Sequence, residues 1–521
     1  MRFFKKIIFM VSTVAVLAGR SSTVVVSNDG KKDKSIVILY ENDVHCGIDG
    51  YAKLAGLRDA IRDTADVAVV SCGDFLQGDI VGAISHGQYI IDIMKTVGYD
   101  AVTLGNHEFD YYVPRLRELL DDLGAPVTCV NFTDADHNRI YLPYVMKKLS
   151  GKTVAFIGVV TPITMVSEEF AFYDKEGRML YDLCPTEVFR QVQEQVDAVK
   201  SKGADYVVIL SHLGERPITM NVDSHLLVSN TTGIDVVLDG HTHTTIPSET
   251  VMSSDGKPVL ITQAGTKFKD IGKLLIQQGG KMSTTLLHSD DVPFENINVK
   301  HTTDSIKALC DEVTRQPVCQ CPFALRILDD DGNEAVRMGE TNAGDLLMDA
   351  FREMSGTDIG IMNAGSIRSE LPYTTGTLTL GNIIAMLPYD NNVVTINATG
   401  EQILEVLTKS TRFLPKPYAD FPQVSGLKFT ANIGDGVSDV MVLDRQTGEY
   451  LPVDPQRTYT VATTDYCVTG GGLQSVFKQC TITLKGQTLN YREILIKYIK
   501  EKYNSTVPEL YRYPQGRITV K

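Results

Sequence analysis

The chain has 521 residues, 43% of them hydrophobic and 22% charged, enough for about two to four domains, each with its own core. Lys and Arg number 50 against 64 Asp and Glu, a formal charge of −14, and so acidic a surface repels phosphate polymers and argues against DNA or RNA as a partner. Tryptophan is absent, and 42 glycines and 20 prolines are ordinary numbers, so the bulk is neither collagenous nor disordered.

Arg2, Lys5 and Lys6 precede an apolar run over 7–17, and Ala18 and Gly19 follow. A basic start, a short apolar core and small residues at the cut predict an export signal over 1–20. The run falls short of the roughly 20 apolar residues of a spanning helix. Leaving out those three basic residues, 47 basic groups face 64 acidic ones, a charge of −17. Leu17-Ala18-Gly19 has the shape of a lipoprotein box, but Arg20 stands where such a box needs Cys, so lipid attachment is not expected. Residues 21–35 read as a polar tether. The expected location is periplasmic, cell-surface or extracellular, with no membrane span.

The nine cysteines are an odd number, and no pair of C-x-x-C motifs suggests a zinc knuckle. Cys310, Cys319 and Cys321 cluster in one stretch, where a local disulfide could form. Cys46 and Cys72 adjoin the motifs below and read as buried, inert thiols. Glycosylation sequons begin at Asn131, Asn230, Asn397 and Asn504, and matter only in a host that glycosylates exported proteins.

Short Val- and Ile-rich strands are predicted over 36–40, 67–71, 101–104, 154–160, 206–210 and 234–238, with helices between them such as 114–123 and 188–202. Alternating strands and helices predict an α/β unit with much parallel sheet, here 36–295, whose ligands collect at the carboxyl edge. The rhythm stops around 296–322, a linker with a helix over 305–314. A second unit over 323–521 carries helices over 343–354 and 400–407 and strands over 358–362 and 393–396.

The strand ends share one chemistry. The first runs into Asp43-Val44-His45, the second into Gly73-Asp74, and the third into Gly105-Asn106-His107-Glu108-Phe109-Asp110. Two more run into Ser211-His212-Leu213-Gly214 and Gly240-His241-Thr242-His243. Only ten His occur in the chain, and five of them stand here. His and carboxylate side chains bind divalent metals, and Asn can add an amide oxygen. In an extended segment, alternation would put Asp43 and His45 on one side, and likewise His241 and His243. Five strand ends at one edge would gather about seven ligands, too many for one metal. Two divalent metals roughly 3.5–4 Å apart, sharing a carboxylate, are a standard phosphoester hydrolase design.

These motifs, in this order, resemble the calcineurin-like metallophosphatases, and residues 35–515 as a whole resemble the secreted 5′-nucleotidase family. That family includes UDP-sugar hydrolases and 2′,3′-cyclic-nucleotide phosphodiesterases. Its second half is carried by the segment from Arg337 through Thr341-Asn342 to Leu346, by Asn363-Ala364-Gly365-Ser366-Ile367-Arg368, by Leu387-Pro388-Tyr389, and by Tyr466 ahead of Gly470-Gly471-Gly472. The resemblance implies an N-terminal four-layer sandwich of helices flanking two sheets and a C-terminal α+β substrate-binding domain. It implies one metal on Asp43, His45, Asp74 and His243 and another on Asp74, Asn106, His212 and His241, with Asp74 bridging. The metals would be Zn, Mn, Fe or Co.

By the same resemblance, His107 is the catalytic histidine, oriented by Asp110. Arg337, Asn363 and Arg368 hold the non-transferred part of a small nucleotide or its phosphate, and Tyr389 and Tyr466 sandwich the base. Many relatives carry Asp, which contacts the ribose, where this chain has Gly472, and Gly where it has Ser366. The expected reaction is hydrolysis of a nucleoside 5′-monophosphate to nucleoside and phosphate. UDP-sugar, cyclic-nucleotide or non-nucleotide phosphoester cleavage is the alternative within the same chemistry. A retired, ligand-binding relative would belong to a different class, and the intact ligand set argues against it.

Overall fold

The structure is a computed structural model describing residues 25–26, 34–174, 178–215, 221–329, 331–368, 376–389, 391–468, 472–483 and 490–521. The expected export signal, most of the tether, and Gly470 and Gly471 lie outside the described residues.

Six strands position the first unit's loops: β1 (Ser35–Glu41), β2 (Ala65–Ser71), β3 (Ala101–Val102), β4 (Lys152–Val160), β5 (Tyr206–His212) and β6 (Val236–Asp239). Each coincides with a predicted segment, because β-branched runs ended by turn residues are a local signal. Strands β1, β2 and β3 pair in parallel, with Glu41 opposite Ser71 and Ser71 opposite Val102. Strands β4, β5 and β6 pair in parallel in a second sheet, with Val160 opposite His212 and Leu210 opposite Leu238. These registers level the strand ends.

Other strands were not separated in the sequence, among them Val145–Leu149, antiparallel beside β4, and four that follow β6. Thr245–Met252 runs antiparallel to Pro258–Ala264 beside β6, and Asp270–Ile276 pairs antiparallel with β1 and with Met282–His288. The edge strand Thr245–Met252 is largely exposed, so it carries polar residues and little hydrophobic pattern. The sheets are therefore mixed rather than purely parallel.

Ile36, Ile38, Tyr40 and Val70 of one sheet pack against Phe156, Val208, Leu210 and Leu238 of the other. The buried Tyr40 hydroxyl is satisfied across the gap by Thr262 Oγ1 at 2.7 Å. Helices Gly50–Ile61, Gln88–Val97 and Tyr112–Leu123 cover the outer face of the first sheet. Val188–Ser201 covers the second with Val188, Val192, Val196 and Val199, each removing a side chain worth about 1.5–3 kcal/mol from water. Four layers result: helices, sheet, sheet, helices.

The stretch expected as a linker is built structure. Asn296 caps the helix Ile297–Thr314, whose Val299, Ile306 and Cys310 join the first core. The strand Pro317–Cys321 then pairs with Gly376–Thr379 and gives Val318, Cys319 and Cys321 to the second core. The second unit packs helices Asn342–Ser355 and Gly400–Thr411 on a mixed five-stranded sheet ordered Pro422–Ser425, Ile359–Asn363, Thr458–Thr464, Val393–Thr399, Thr481–Ile482, with helix Tyr491–Tyr503 against Asn342–Ser355.

All nine cysteines are free thiols, so the local bridge that Cys310, Cys319 and Cys321 could have made is not formed. Cys310 belongs to the first core, while Cys319 and Cys321 sit two apart on one strand with both side chains buried on the same face. Asn131 is buried and donates to the Val160 and Leu183 carbonyls, which removes it as a glycan acceptor. Among the described residues no helix is long and apolar enough to cross a membrane.

Candidate active site

All seven residues expected to bind metal meet where the two sheets' strand ends face each other. The backbones interlock first. The Asp43 N–H donates to the Gly73 carbonyl at 3.0 Å and the His45 N–H to the Asp74 carbonyl at 2.9 Å. His212 Nδ1 lies 2.7 Å from the Cys72 carbonyl, and the His241 N–H donates to the Asp43 carboxylate at 2.9 Å. The first two bonds tie neighbouring loops of one sheet together, and the last two stitch that sheet's loops to the other's.

The route to this convergence differs from the expected alternation. Asp43 and His45 have φ of 51° and 43°, Asp74 of 60°, and His241 and His243 of 80° and 56°. Five of the seven residues thus occupy the left-handed region, which is uncommon for side chains other than glycine and concentrates at functional sites. Tight turns, rather than extended pleating, aim these side chains inward.

Asp74 is the centre. Its Oδ2 lies 3.2 Å from His212 Nε2 and 3.6 Å from His45 Nε2, and its Oδ1 accepts the His107 N–H at 2.8 Å. Asp43 Oδ1 lies 3.5 Å from His243 Nε2 and 3.7 Å from His212 Nε2. His241 Nδ1 lies 3.0 Å from Asn106 Oδ1. Both Asp carboxylates and His212 are buried, whereas the His243 side chain is 46% exposed, so the cluster opens to solvent on one side.

The donor set fits divalent cations. Among the described residues the buried His241 Nε2 has no hydrogen-bond partner, and His212 Nε2 has only the Asp74 and Asp43 carboxylates beside it, at 3.2 and 3.7 Å; a buried lone pair left without a partner is costly unless something else takes it. His45 Nε2 and His243 Nε2 face each other at 2.9 Å, two ring nitrogens that a shared cation would satisfy. His45 Nδ1 meets the Gln77 carbonyl and His212 Nδ1 the Cys72 carbonyl, the outer bonds that turn each Nε2 lone pair inward. Burial holds His45 down to about 4 and, with the charge of His212, His241 to about 3. Burial also pushes Asp43 up to about 7.

His107 Nδ1 lies 2.9 Å from Asp110 Oδ2, which leaves Nε2 for a ligand, and the His107 side chain is 34% exposed. Burial disfavours the charged ring, but the charges of Asp110 and Asp74 and the hydrogen bond to Asp110 prevail and hold His107 well above the usual imidazole range. Cys46 and Cys72 are buried, and burial pushes both thiols up, so they are inert as expected.

Two supporting residues escaped the sequence reading. Asn42 donates to Asp43 Oδ2 at 2.6 Å and accepts the Ala264 N–H at 2.8 Å, contacts that no local pattern announces. Glu108 stood inside a motif without a role. It is buried, and its Oε2 accepts the Asp74 and Gly105 N–H groups while Oε1 accepts those of Phe75 and Leu76. One carboxyl thereby clamps two strand-end loops.

In the second unit the five expected ligand-binding residues, Arg337, Asn363, Arg368, Tyr389 and Tyr466, all line one cavity of about 240 Å³. Arg368 donates to the Tyr389 hydroxyl at 3.0 Å, and Arg337 pairs with Glu334. The Tyr389 backbone is held by the Tyr491 hydroxyl and by Arg492. Ser366 donates to Asn363 Oδ1 at 2.8 Å, and a side chain at Gly472 would meet Tyr466 at 3.1 Å and Asn363 at 3.2 Å. Asn391 and Asp420 also line the cavity. The sequence reading missed both, since nothing local distinguishes them from loop residues.

The calcineurin-like phosphoesterase family matches residues 36–245, and the 5′-nucleotidase C-terminal domain matches 326–479. The chain is 25% identical to the Bacillus subtilis trifunctional nucleotide phosphoesterase protein YfkN, across 93% of this chain but about a third (35%) of that protein's length. It is 26% identical to Bos taurus 5′-nucleotidase, covering 85% of this chain and 84% of the relative. A 5′-nucleotidase precursor from Thermus thermophilus shares the fold, with a TM-score of 0.63 and 23% identity over 93% of this chain and 99% of that one.

Proposed function

We propose, for a chain that belongs to the calcineurin-like phosphoesterases and carries a 5′-nucleotidase C-terminal domain, that it hydrolyses nucleoside 5′-monophosphates to nucleoside and phosphate. The observation that carries the reading is the gathering of Asp43, His45, Asn106, His212, His241 and His243 around Asp74, with the buried His241 Nε2 unpartnered among the described residues. Asp43, His45, Asp74 and His243 would hold one divalent metal, and Asp74, Asn106, His212 and His241 a second of the Zn, Mn, Fe or Co class. When bound, such cations lower the pKa of water and draw charge from phosphate oxygens.

The chain's own groups do the rest. Water attacks phosphorus, the bond to the leaving oxygen breaks, and that oxygen must be stabilised as it gains charge. His107, kept protonated by Asp110, presents Nε2–H to this oxygen. Two tyrosines in the second unit's cavity suit a flat base, and stacking reads no hydrogen-bond code. Arg337 and Arg368 supply positive charge for phosphate beside it. The leader over 1–20 would send the enzyme to the periplasm, cell surface or medium.

Phosphate release is the test. The purified protein is given AMP, UDP-glucose, a 2′,3′-cyclic nucleotide and p-nitrophenyl phosphate with Mn or Zn, with EDTA as control. Strong release from AMP that EDTA abolishes supports the nucleotidase reading. Release from p-nitrophenyl phosphate alone would overturn the nucleotide assignment while keeping the hydrolase, and no release at all would favour a retired binding protein.

A further inference from the structure

Strand β4 is the sixth of the parallel strands that end at this edge, and its sequence offers no ligand there. The chain leaves it through Thr161, makes one turn of helix at Thr164–Ser167, and places Glu168 at that turn's end, where its N–H donates to the Thr164 carbonyl at 2.8 Å. Glu168 is 8% exposed. Its carboxyl oxygen, a carboxyl oxygen of Asp110 and a ring nitrogen of His107 lie within 4.8 Å of one another.

Within this trio one atom is out of place. Asp110 Oδ2 meets His107 Nδ1, but Asp110 Oδ1 is buried with no hydrogen bond among the described residues. A buried carboxylate oxygen left without a hydrogen-bond partner is costly. Two carboxyl groups this close and this dry do not both ionise, so one carries a proton. Burial, and then the charge of Asp110, hold the Glu168 carboxyl well above its ordinary range, which assigns the proton to Glu168.

We propose that Glu168 is a positioning residue for the His107–Asp110 pair: its carboxylic acid donates to Asp110 Oδ1 and so keeps Oδ2 aimed at His107 Nδ1. No bond is made or broken, and Glu168 touches no substrate. The inference rests on the hydrolase reading only for its kinetic consequence.

The test compares Glu168→Ala, Glu168→Met and Glu168→Gln in the full chain. Glu168→Gln keeps a donor of equal reach, whereas the other two remove it, and Met fills the space if Ala fails to fold. With p-nitrophenyl phosphate, Ala or Met should lower kcat about tenfold or more, part of the ~10²–10⁴ of a positioned proton donor, with KM within twofold. Gln should restore kcat to within about threefold of the parent. In an Asp110→Ala background, Glu168→Met should change kcat no further, because the group it positions is gone.

A donor-less variant with kcat within twofold of the parent, a Gln variant as slow as Met, or independent multiplication of the two losses would each overturn the proposal. If the parent hydrolyses nothing, the hydrolase reading fails separately. The pair is then decided by denaturant midpoints, in which Glu168→Met and Asp110→Ala should be sub-additive, and simple additivity would sink it.

Discussion

Adding one methyl group at Gly105 tests whether the position of Asp74 sets the rate. A Cβ built there would stand 2.1 Å from Asp74 Oδ1 and 2.7 Å from both Asp74 Cγ and the Asp74 backbone nitrogen. Carbon contacts settle near 3.5 Å, so the carboxylate in Gly105→Ala must retreat by about 1.4 Å. The neighbouring backbone cannot yield freely, because Glu108 ties the Asp74 and Gly105 N–H groups to one oxygen. Displacing a reacting constellation by about 1 Å costs on the order of 10²-fold, so kcat for p-nitrophenyl phosphate should fall about 100-fold, or ~2.7 kcal/mol of barrier. Overpacking should also cost about 1–3 kcal/mol of stability. The assay is steady-state turnover at saturating Mn or Zn, paired with a denaturant titration and a measurement of bound metal. A variant that folds, binds metal like the parent and turns over within threefold of it would refute the reasoning.

Glu108→Gln replaces one accepting oxygen with an amide that cannot accept, stranding two of the four buried N–H groups that Glu108 holds. At about 1–3 kcal/mol each, the loss is about 2–6 kcal/mol, read as a lower denaturant midpoint; an unchanged midpoint would count against the clamp. Tyr466→Ala should raise KM for AMP at least tenfold and leave p-nitrophenyl phosphate within twofold, since stacking on an aromatic is worth about 1–3 kcal/mol per base. Equal effects on both substrates would mean that Tyr466 only packs.

The sequence by itself determined the strands β1 to β6 and the chemistry at the ends of five of them. Both are local: a β-branched run announces a strand, and a polar cluster straight after it announces a site at the edge. Arg337, Asn363, Arg368, Tyr389 and Tyr466 came from the family resemblance of the compact motifs that hold them, and all five line one cavity. Tertiary structure decided the rest. Asp43 and His45 look like neighbours on a pleat, yet left-handed turns aim them, because the turns are set by bonds to the Gly73 and Asp74 carbonyls some thirty residues away. Glu168 carries no local signal, and only the end of β4 folds it against Asp110, 58 positions earlier in the chain. The half-exposed antiparallel strands and the lining residues Asn391 and Asp420 were equally silent. Their roles are fixed by partners distant in sequence, and a contact between distant residues leaves no periodicity to read.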